Sequence, residues 1–111
     1  MSGVPELTPS EFRERWPTQE SDAAPILLDV REPEELAVAA VAGVVHIPMG
    51  EIPARLAELD RDRHIVCMCH GGVRSRRVAE FLAANGYEQV SNLAGGIDAW
   101  SQQVDPNIPR Y

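Results

Sequence analysis

Short apolar runs alternate along the chain with segments whose apolar residues recur at helical spacing. Each run is only five residues long and is bounded by polar or turn-forming residues. Runs of this length are typical of strands inside a sheet, and a continuous run indicates burial on both faces. Strands are predicted at 26–30, 44–48, 64–68 and 89–93.

The segments between the runs carry helix signals. Thr8 is placed to cap a helix, with Pro9 at its first position and Glu11 completing a capping box. This helix should end near Trp16, because Pro17 follows, and a polar loop over 19–25 should lead to the first strand. Further helices are predicted to open at 31–35 and to cover 51–59, 75–86 and 97–102.

Strands that alternate with helices predict an open α/β fold with a mostly parallel sheet. At 111 residues the chain should form a single domain over 1–111, with its core at about 7–102 and an irregular tail at 103–111. Ligands of such sheets bind beyond the carboxyl ends of the strands. The segment that follows the strand at 64–68 is therefore the first place to look for a site.

That segment is Cys69-His70-Gly71-Gly72-Val73-Arg74-Ser75. Glycines allow backbone N–H groups to turn inward, and the start of the next helix adds partial positive charge, so the loop should cradle an anion. A thiolate in this cradle would be stabilised and its pKa lowered. The pattern predicts that Cys69 is a nucleophile.

Charge narrows the class of partner. The formal net charge is −7, which argues against nucleic acid or an anionic membrane as a partner. Against this background Arg74, Arg76 and Arg77 form a basic island, which favours a small anion held at one place. The first residues lack the pattern of a signal peptide, and no apolar run is long enough to cross a membrane.

Cys67 and Cys69 should point to the same side of one strand, too close in sequence for an unstrained disulfide. Two reduced thiols predict a cytoplasmic protein. Cys67 is interpreted as a core residue, since it lies inside the predicted strand.

Three segments in order resemble the single-domain rhodaneses, which are thiosulfate sulfurtransferases. They are Leu28-Asp29-Val30-Arg31-Glu32, the loop Cys69 to Ser75 with its C-x-x-G-x-R-S pattern, and Leu93-Ala94-Gly95-Gly96-Ile97-Asp98-Ala99-Trp100. The resemblance extends from about Leu7 to Trp100. It implies a sheet of about five strands flanked by helices on both faces.

One segment departs from the family pattern. Rhodaneses usually carry G-H-I-P-G-A before the second strand, whereas this chain has Ala39-Ala40-Val41-Ala42-Gly43-Val44. Only the second glycine, Gly43, is kept. The absent histidine is normally structural, so the departure concerns the local turn more than the chemistry.

The resemblance also implies a mechanism and assigns residues to it. Cys69 would take the outer sulfur of thiosulfate as a persulfide and pass it to cyanide, a thiol or a sulfur-carrier protein, without a metal or other cofactor. The loop residues His70, Gly71, Gly72, Val73, Arg74 and Ser75 would bind the substrate. Arg74 either braces the loop or contacts the donor, and Asp29 with Arg31 would support the loop from the neighbouring strand.

Other interpretations of single residues stay open. His70 either tunes the nucleophile or faces solvent. His46 and His64 lack metal-ligand spacing. Gly95-Gly96 with Trp100 is interpreted as a turn and a packing anchor.

Two other functions compete with sulfur transfer by turnover. A phosphatase or arsenate reductase would also use a cysteine-to-arginine loop, but here only four residues separate Cys69 from Arg74, where phosphatases have five. The shorter cradle suits a sulfur atom better than a tetrahedral oxyanion. A sulfur carrier or docking module, loaded by a partner protein, is the second alternative.

Overall fold

A computed structural model describes residues 3–18 and 24–111, and the predicted polar loop therefore lies partly outside the described residues. The strands are β1 (Glu6–Leu7), β2 (Ile26–Asp29), β3 (Val45–His46), β4 (Ile65–Met68) and β5 (Val90–Leu93). The helices are α1 (Pro9–Arg15), α2 (Pro33–Val38), α3 (Val73–Ala84) and α4 (Gly96–Gln103).

The five strands form one sheet in the order β1-β5-β4-β2-β3, and every pairing is parallel. The α/β prediction is confirmed, and the sheet is wholly rather than mostly parallel. Strand β4 lies at the centre, where all four of its residues are buried. Its carboxyl end, and the loop that follows, therefore stand in the middle of one edge of the sheet.

Hydrophobic residues cover both faces of the sheet. Side chains of α3, including Val78 and Leu82, pack on the face that Ile65, Cys67 and Cys69 share. Helices α1 and α4 cover the opposite face, where Val66 and Met68 point. Successive residues of β4 thus alternate between two cores, as a pleated strand requires.

On the second face, the rings of Phe12 and Trp100 meet edge-on with centroids 5.5 Å apart. Trp100 is 1% exposed. The interpretation of Trp100 as a packing anchor is confirmed.

The first helix follows its predicted cap closely. The Thr8 hydroxyl accepts a hydrogen bond from the Glu11 backbone N–H at 3.1 Å, and the Glu11 carboxylate accepts one from the Thr8 N–H at 2.9 Å. Helix α3 begins two residues earlier than predicted, at Val73, so that Arg74 and Ser75 lie in its first turn. This shift brings backbone N–H groups closer to Cys69.

Two expectations need correction. The segment 51–59 is not an α-helix but turns between two short 3-10 helices, Met49–Glu51 and Leu56–Glu58. The Arg55 N–H is shared between the carbonyls of Glu51 and Ile52, at 3.1 and 3.2 Å, so the backbone tightens into turns here and no regular α-helix follows. The edge strand β1 was not predicted at all.

The tail packs back on the domain. Ile108 is 9% exposed and joins the core beside Trp100, and the Ser101 hydroxyl donates to its carbonyl at 2.5 Å. Arg110 forms an ion pair with Asp98 at 2.8 Å. The tail is irregular, as predicted, and it carries Tyr111 to the loop after β4.

Candidate active site

The loop after β4 turns sharply around the sulfur of Cys69. Gly72, the residue before α3, has φ of +105°, a conformation that L side chains rarely adopt. A Cβ atom at this position would also stand 3.3 Å from the backbone nitrogen of Gly95. The positive φ strongly favours glycine here, the close approach of Gly95 adds to that preference, and the resulting turn points the Gly72 N–H back toward the sulfur.

Cys69 is 1% exposed, and its sulfur is surrounded by hydrogen-bond donors. The Gly72 N–H donates to Sγ at 3.1 Å, and Ser75 Oγ lies 3.3 Å from Sγ. Burial by itself raises the pKa of the Cys69 thiol, but the Ser75 hydroxyl and nearby backbone N–H groups outweigh it. The pKa therefore lies below the ordinary cysteine value.

Cys67 occupies the same face of β4 in a different setting. It is fully buried among hydrophobic side chains, and both cysteines are free thiols. Burial, together with the nearby Cys69, raises the pKa of Cys67 far above its ordinary value. The interpretation of Cys67 as a core residue fits this setting.

The start of α4 holds the other side of the loop. The Ile97 N–H donates to the Cys69 carbonyl at 2.9 Å, and the Asp98 N–H donates to the His70 carbonyl at 3.1 Å. A Cβ atom on Gly96 would lie only 2.3 Å from the Cys69 carbonyl oxygen. Only glycine permits this approach, so Gly96 positions the loop as well as forming the predicted turn.

Arg74 is tied to helix α2. Its guanidinium makes two hydrogen bonds to the carboxylate of Glu35, at 2.7 and 2.9 Å. The Arg74 side chain, with help from other neighbours, lowers the pKa of Glu35 to about 2. This contact braces the loop against α2 and takes up the guanidinium face that would otherwise receive an anion.

Asp29 and Arg31 form a buried ion pair at the end of β2, with both side chains 0% exposed. Arg31 also donates to the carbonyls of Glu35 and Ala39 and to the Tyr111 hydroxyl. Within the described residues, neither side chain bonds to the loop itself. Arg31 is connected to the loop indirectly, through Glu35, which bonds to Arg74, and through Tyr111, which stacks on His70.

Tyr111 stacks on His70, with ring centroids 4.2 Å apart and planes inclined by 19°. Its hydroxyl donates to the Glu35 carboxylate at 2.9 Å. The Nε2 atom of His70 is buried and finds no hydrogen-bond partner among the residues that the structure describes. The half-buried His70 ring therefore lies under the tail and does not face open solvent.

The remaining predicted loop residues differ in exposure. Val73 is 69% exposed at the start of α3, and a Cβ on Gly71 would meet nothing within 4 Å. The basic island is largely compensated: Arg76 lies 3.8 Å from Glu80 and 4.0 Å from Glu6.

Four residues around the loop were not predicted as part of the site. They are Glu35, Asn92, Gly96 and Tyr111. Gly96 stood in a recognised motif, whose double glycine was a usable signal. The other three come from distant segments without any local pattern.

The described part of the chain contains neither a metal-binding cluster nor a membrane-spanning helix. Among residues 3–18 and 24–111, no three His, Cys, Asp or Glu side chains are grouped to hold a metal ion. None of the described helices has the length and apolar character to cross a membrane.

Residues 8–103 match the rhodanese-like domain family. The chain belongs to this family. A rhodanese-like domain protein from Staphylococcus aureus superposes with a TM-score of 0.80 at 31% identity, over 97% of this chain and 99% of that one.

Two relatives bear on function. A sulfurtransferase of Allochromatium vinosum is 39% identical over 83 residues, which cover 75% of this chain and 78% of that protein. YrkF of Bacillus subtilis, provisionally named a sulfur carrier protein, is 36% identical over 104 residues. The match covers 94% of this chain but only 55% of YrkF. These names support a sulfur-transfer role for this rhodanese-like domain.

The departure from the rhodanese pattern at 39–44 leaves a defined turn. Gly43 has φ of +81°, which explains why this glycine is kept. Ala39 and Val41 are buried against the core that contains Trp100. Small apolar residues thus fill the place of the usual segment, and the Ala39 carbonyl accepts from Arg31.

Proposed function

We propose that this rhodanese-like domain is a sulfurtransferase that moves a sulfane sulfur through a persulfide on Cys69. The donor is thiosulfate or a related persulfide, and the acceptor is a thiophile such as cyanide or a thiol. One observation carries the proposal: the Cys69 sulfur receives hydrogen bonds from Gly72 and Ser75 that lower its pKa despite burial. A lowered thiol pKa provides the thiolate that nucleophilic attack needs.

In the first half-reaction the Cys69 thiolate attacks the outer sulfur of thiosulfate. A bond forms between Sγ and that sulfur, and the sulfur–sulfur bond of thiosulfate breaks. Sulfite leaves with the bonding electron pair, and the enzyme retains a persulfide with one negative charge. The inward-facing N–H groups of the loop are suited to solvate this charge, as they solvate the thiolate.

In the second half-reaction the acceptor attacks the outer sulfur of the persulfide. With cyanide, a carbon–sulfur bond forms, thiocyanate leaves, and Cys69 takes back the electron pair as a thiolate. With a thiol, the product is a new persulfide on the acceptor. No redox cofactor or metal enters either step.

The loop residues have separate roles in this proposal. The backbone from His70 to Ser75 would surround the transferred sulfur, with Gly71 open and Val73 exposed at the rim. Arg74 would hold the shape of the loop, since Glu35 already occupies its guanidinium.

Asp29 and Arg31 would act one step further away from the sulfur. They keep Glu35 and Tyr111 in place behind the loop. Their proposed role is to support the loop rather than to contact the donor.

The test is the intact mass of the protein after brief exposure to thiosulfate. We expect the parent protein to gain one sulfur, roughly 32 Da, and Cys69→Ser to gain none. Cys67→Ser is the matched control, because Cys67 lies on the same strand face but lacks the donors, and it should load like the parent. Loading that persists in Cys69→Ser would refute the assignment.

A sulfur carrier is the second candidate, supported by the likeness to YrkF, of which this chain spans 55%. Steady-state formation of thiocyanate from thiosulfate and cyanide favours the enzyme. Stoichiometric loading of Cys69 without turnover favours the carrier, with a protein persulfide as donor. Both forms use the same cysteine.

A phosphatase is disfavoured by the loop. Only four residues separate Cys69 from Arg74, and Glu35 holds the arginine that would have to grip a phosphoryl group. We expect no turnover of a phosphate ester. The cytoplasmic location stays a prediction.

A further inference from the structure

The hydroxyl of Ser75 has two acceptors and one hydrogen. Ser75 Oγ lies 2.6 Å from Asn92 Oδ1 and 3.3 Å from Cys69 Sγ. Ser75 is 0% exposed and Asn92 2% exposed, so bulk water does not compete at this point. Since a serine hydroxyl carries a single hydrogen, it can donate to only one of these two atoms at a time.

The orientation of the Asn92 amide is fixed by its other neighbours. Its Nδ2 atom lies 3.1 and 3.2 Å from the carboxylate oxygens of Glu6 and 3.0 Å from the carbonyl oxygen of Gly72. These atoms only accept hydrogen bonds, so a flipped amide would set oxygen against oxygen. Asn92 Oδ1 must therefore face Ser75, and it can only accept.

The charge on the sulfur decides where the Ser75 hydrogen is needed. When Cys69 is a neutral thiol, its S–H can donate to Ser75 Oγ while the Ser75 hydroxyl donates to Asn92. When Cys69 is a thiolate, the sulfur becomes the stronger acceptor and the hydrogen is needed there. In the persulfide the charge moves to the outer sulfur, and Asn92 can again accept the hydrogen.

We propose that Asn92 is a positioning residue that controls the Ser75 hydroxyl, receiving its hydrogen whenever Cys69 Sγ is uncharged and releasing it to Sγ when the thiolate forms. The persulfide part of this inference rests on the proposed function; the thiol part does not. Asn92 thereby favours the thiol and the persulfide over the free thiolate. The covalent O–H bond of Ser75 stays intact when the hydroxyl rotates from Asn92 to the sulfur.

Other charged or titratable groups around the sulfur must stay constant in a test. Glu6 reaches the site from β1, Cys67 from β4 and Arg74 from the first turn of α3. Glu35 acts through Arg74 from α2. Asn92→Leu also removes the amide hydrogen bonds to Glu6 and to the Gly72 carbonyl. This side effect is the same with and without Ser75, so comparing the two backgrounds separates it from the effect on the Ser75 hydroxyl.

The experiment is the pH dependence of iodoacetamide alkylation of Cys69, followed on the Cys69 peptide, in four proteins. They are the parent, Asn92→Leu, Ser75→Ala and the double variant. Removal of the competing acceptor should lower the apparent pKa of Cys69 in Asn92→Leu by about half a unit to one unit, and Ser75→Ala should raise it. In the Ser75→Ala background, Asn92→Leu should change the pKa by less than about a third of that shift.

Two results would overturn the inference. One is an unchanged pKa in Asn92→Leu; the other is an equal shift with and without Ser75, which would assign the effect to the Gly72 backbone. If Asn92→Leu does not fold, Asn92→Asp takes its place. Its carboxylate holds the Ser75 hydrogen more strongly, so the pKa should rise, and more so with Ser75 present than absent.

The control is Ser91→Ala, which removes a neighbouring buried hydroxyl that bonds to His64 instead. It should leave the Cys69 pKa unchanged. A second readout, taken at a pH above the Cys69 pKa so that the unloaded cysteine is a thiolate, is the loaded fraction at a fixed ratio of thiosulfate to sulfite. It should fall in Asn92→Leu as the loading constant drops about three- to ten-fold. The titration needs no sulfur donor, so a parent that fails to load would refute the proposed function without deciding this inference.

Discussion

The interior of β4 and the loop that follows it each hold one cysteine, and the two thiol pKa values are shifted in opposite directions. Cys67 and Cys69 lie on the same face of the sheet, two residues apart, and both are almost completely buried. The pKa of Cys67 is raised, whereas that of Cys69 is lowered. Burial raises the pKa of both thiols, and at Cys69 the hydrogen bonds from Ser75 and the loop backbone reverse that effect.

What differs is the supply of hydrogen-bond donors. The backbone N–H groups of β4 donate to the neighbouring strands β2 and β5, so they do not donate to the sulfur of Cys67. The loop has left the sheet, and the positive φ of Gly72 turns its free N–H groups toward Cys69. The thiol with the lowered pKa therefore lies where the regular hydrogen bonding of the sheet ends.

The largest expected effect is the reactivity contrast itself. With iodoacetamide at pH 7, Cys69 should be alkylated at least about 100-fold faster than Cys67, because the pKa of Cys69 is lowered and that of Cys67 is raised, which makes the thiolate fraction much larger at Cys69. Peptide mass spectrometry over time measures both rates in one sample. Similar rates at the two cysteines would contradict the interpretation of the loop.

Disturbing the packing of α4 against the loop should reduce the difference between the alkylation rates of Cys69 and Cys67. Gly96→Ala places a Cβ against the Cys69 and His70 carbonyls, at 2.3 and 2.5 Å, in a backbone with φ of +58°. We expect a loss of at least about 2 kcal/mol in the free energy of unfolding and slower alkylation of Cys69. Thermal and urea unfolding measure the first effect.

The matched control is Gly50→Ala, where an added Cβ meets nothing within 4 Å. Its stability and its Cys69 alkylation rate should stay close to those of the parent. If both variants behave alike, the close approach of α4 to the loop does not position Cys69.

The smallest effect concerns the brace between Arg74 and Glu35. The pKa of Glu35 is about 2 in the fold, against 4.5 ordinarily, so its carboxylate stabilises the native state above about pH 4.5. That contribution should be lost as pH falls toward 2. Because both side chains are partly exposed, the loss should stay below about 1 kcal/mol.

The measurement is urea unfolding of the parent and Glu35→Gln between pH 5 and the lowest pH at which the fold persists. The stability difference between the two should shrink as the pH falls. Glu34→Gln, which removes the adjacent carboxylate of α2, is the matched control, and at pH 5 it should change the stability less than Glu35→Gln does. A constant difference for Glu35→Gln would mean that the charge on Glu35 contributes nothing.

Much of the fold could be predicted because its strands and helices have strong local patterns. The five-residue apolar runs marked four strands, and Thr8 with Glu11 marked the first helix. Strand β1 has only two residues, Glu6–Leu7, too few to show a pattern. The segment 51–59 had helical spacing, but its backbone turns around Pro53.

The loop could be predicted because it is one continuous segment. Its supports could not, because they are contacts between distant parts of the chain: Glu35 on Arg74, Asn92 on Ser75 and Tyr111 on His70. The sequence left two roles open for Arg74. Its two hydrogen bonds to Glu35 favour the bracing role.

The contact of α4 with the loop also orders events in time. During synthesis Cys69 leaves the ribosome well before the start of α4. The loop can close only later, when the N–H groups of Ile97 and Asp98 can bond to it and Gly96, without a side chain, can pack against it. Until those residues emerge, Cys69 has the pKa of an ordinary cysteine in an unfolded chain. The nascent chain thus carries an ordinary thiol at Cys69, whose pKa falls only after the start of α4 has been synthesised and has packed on the loop.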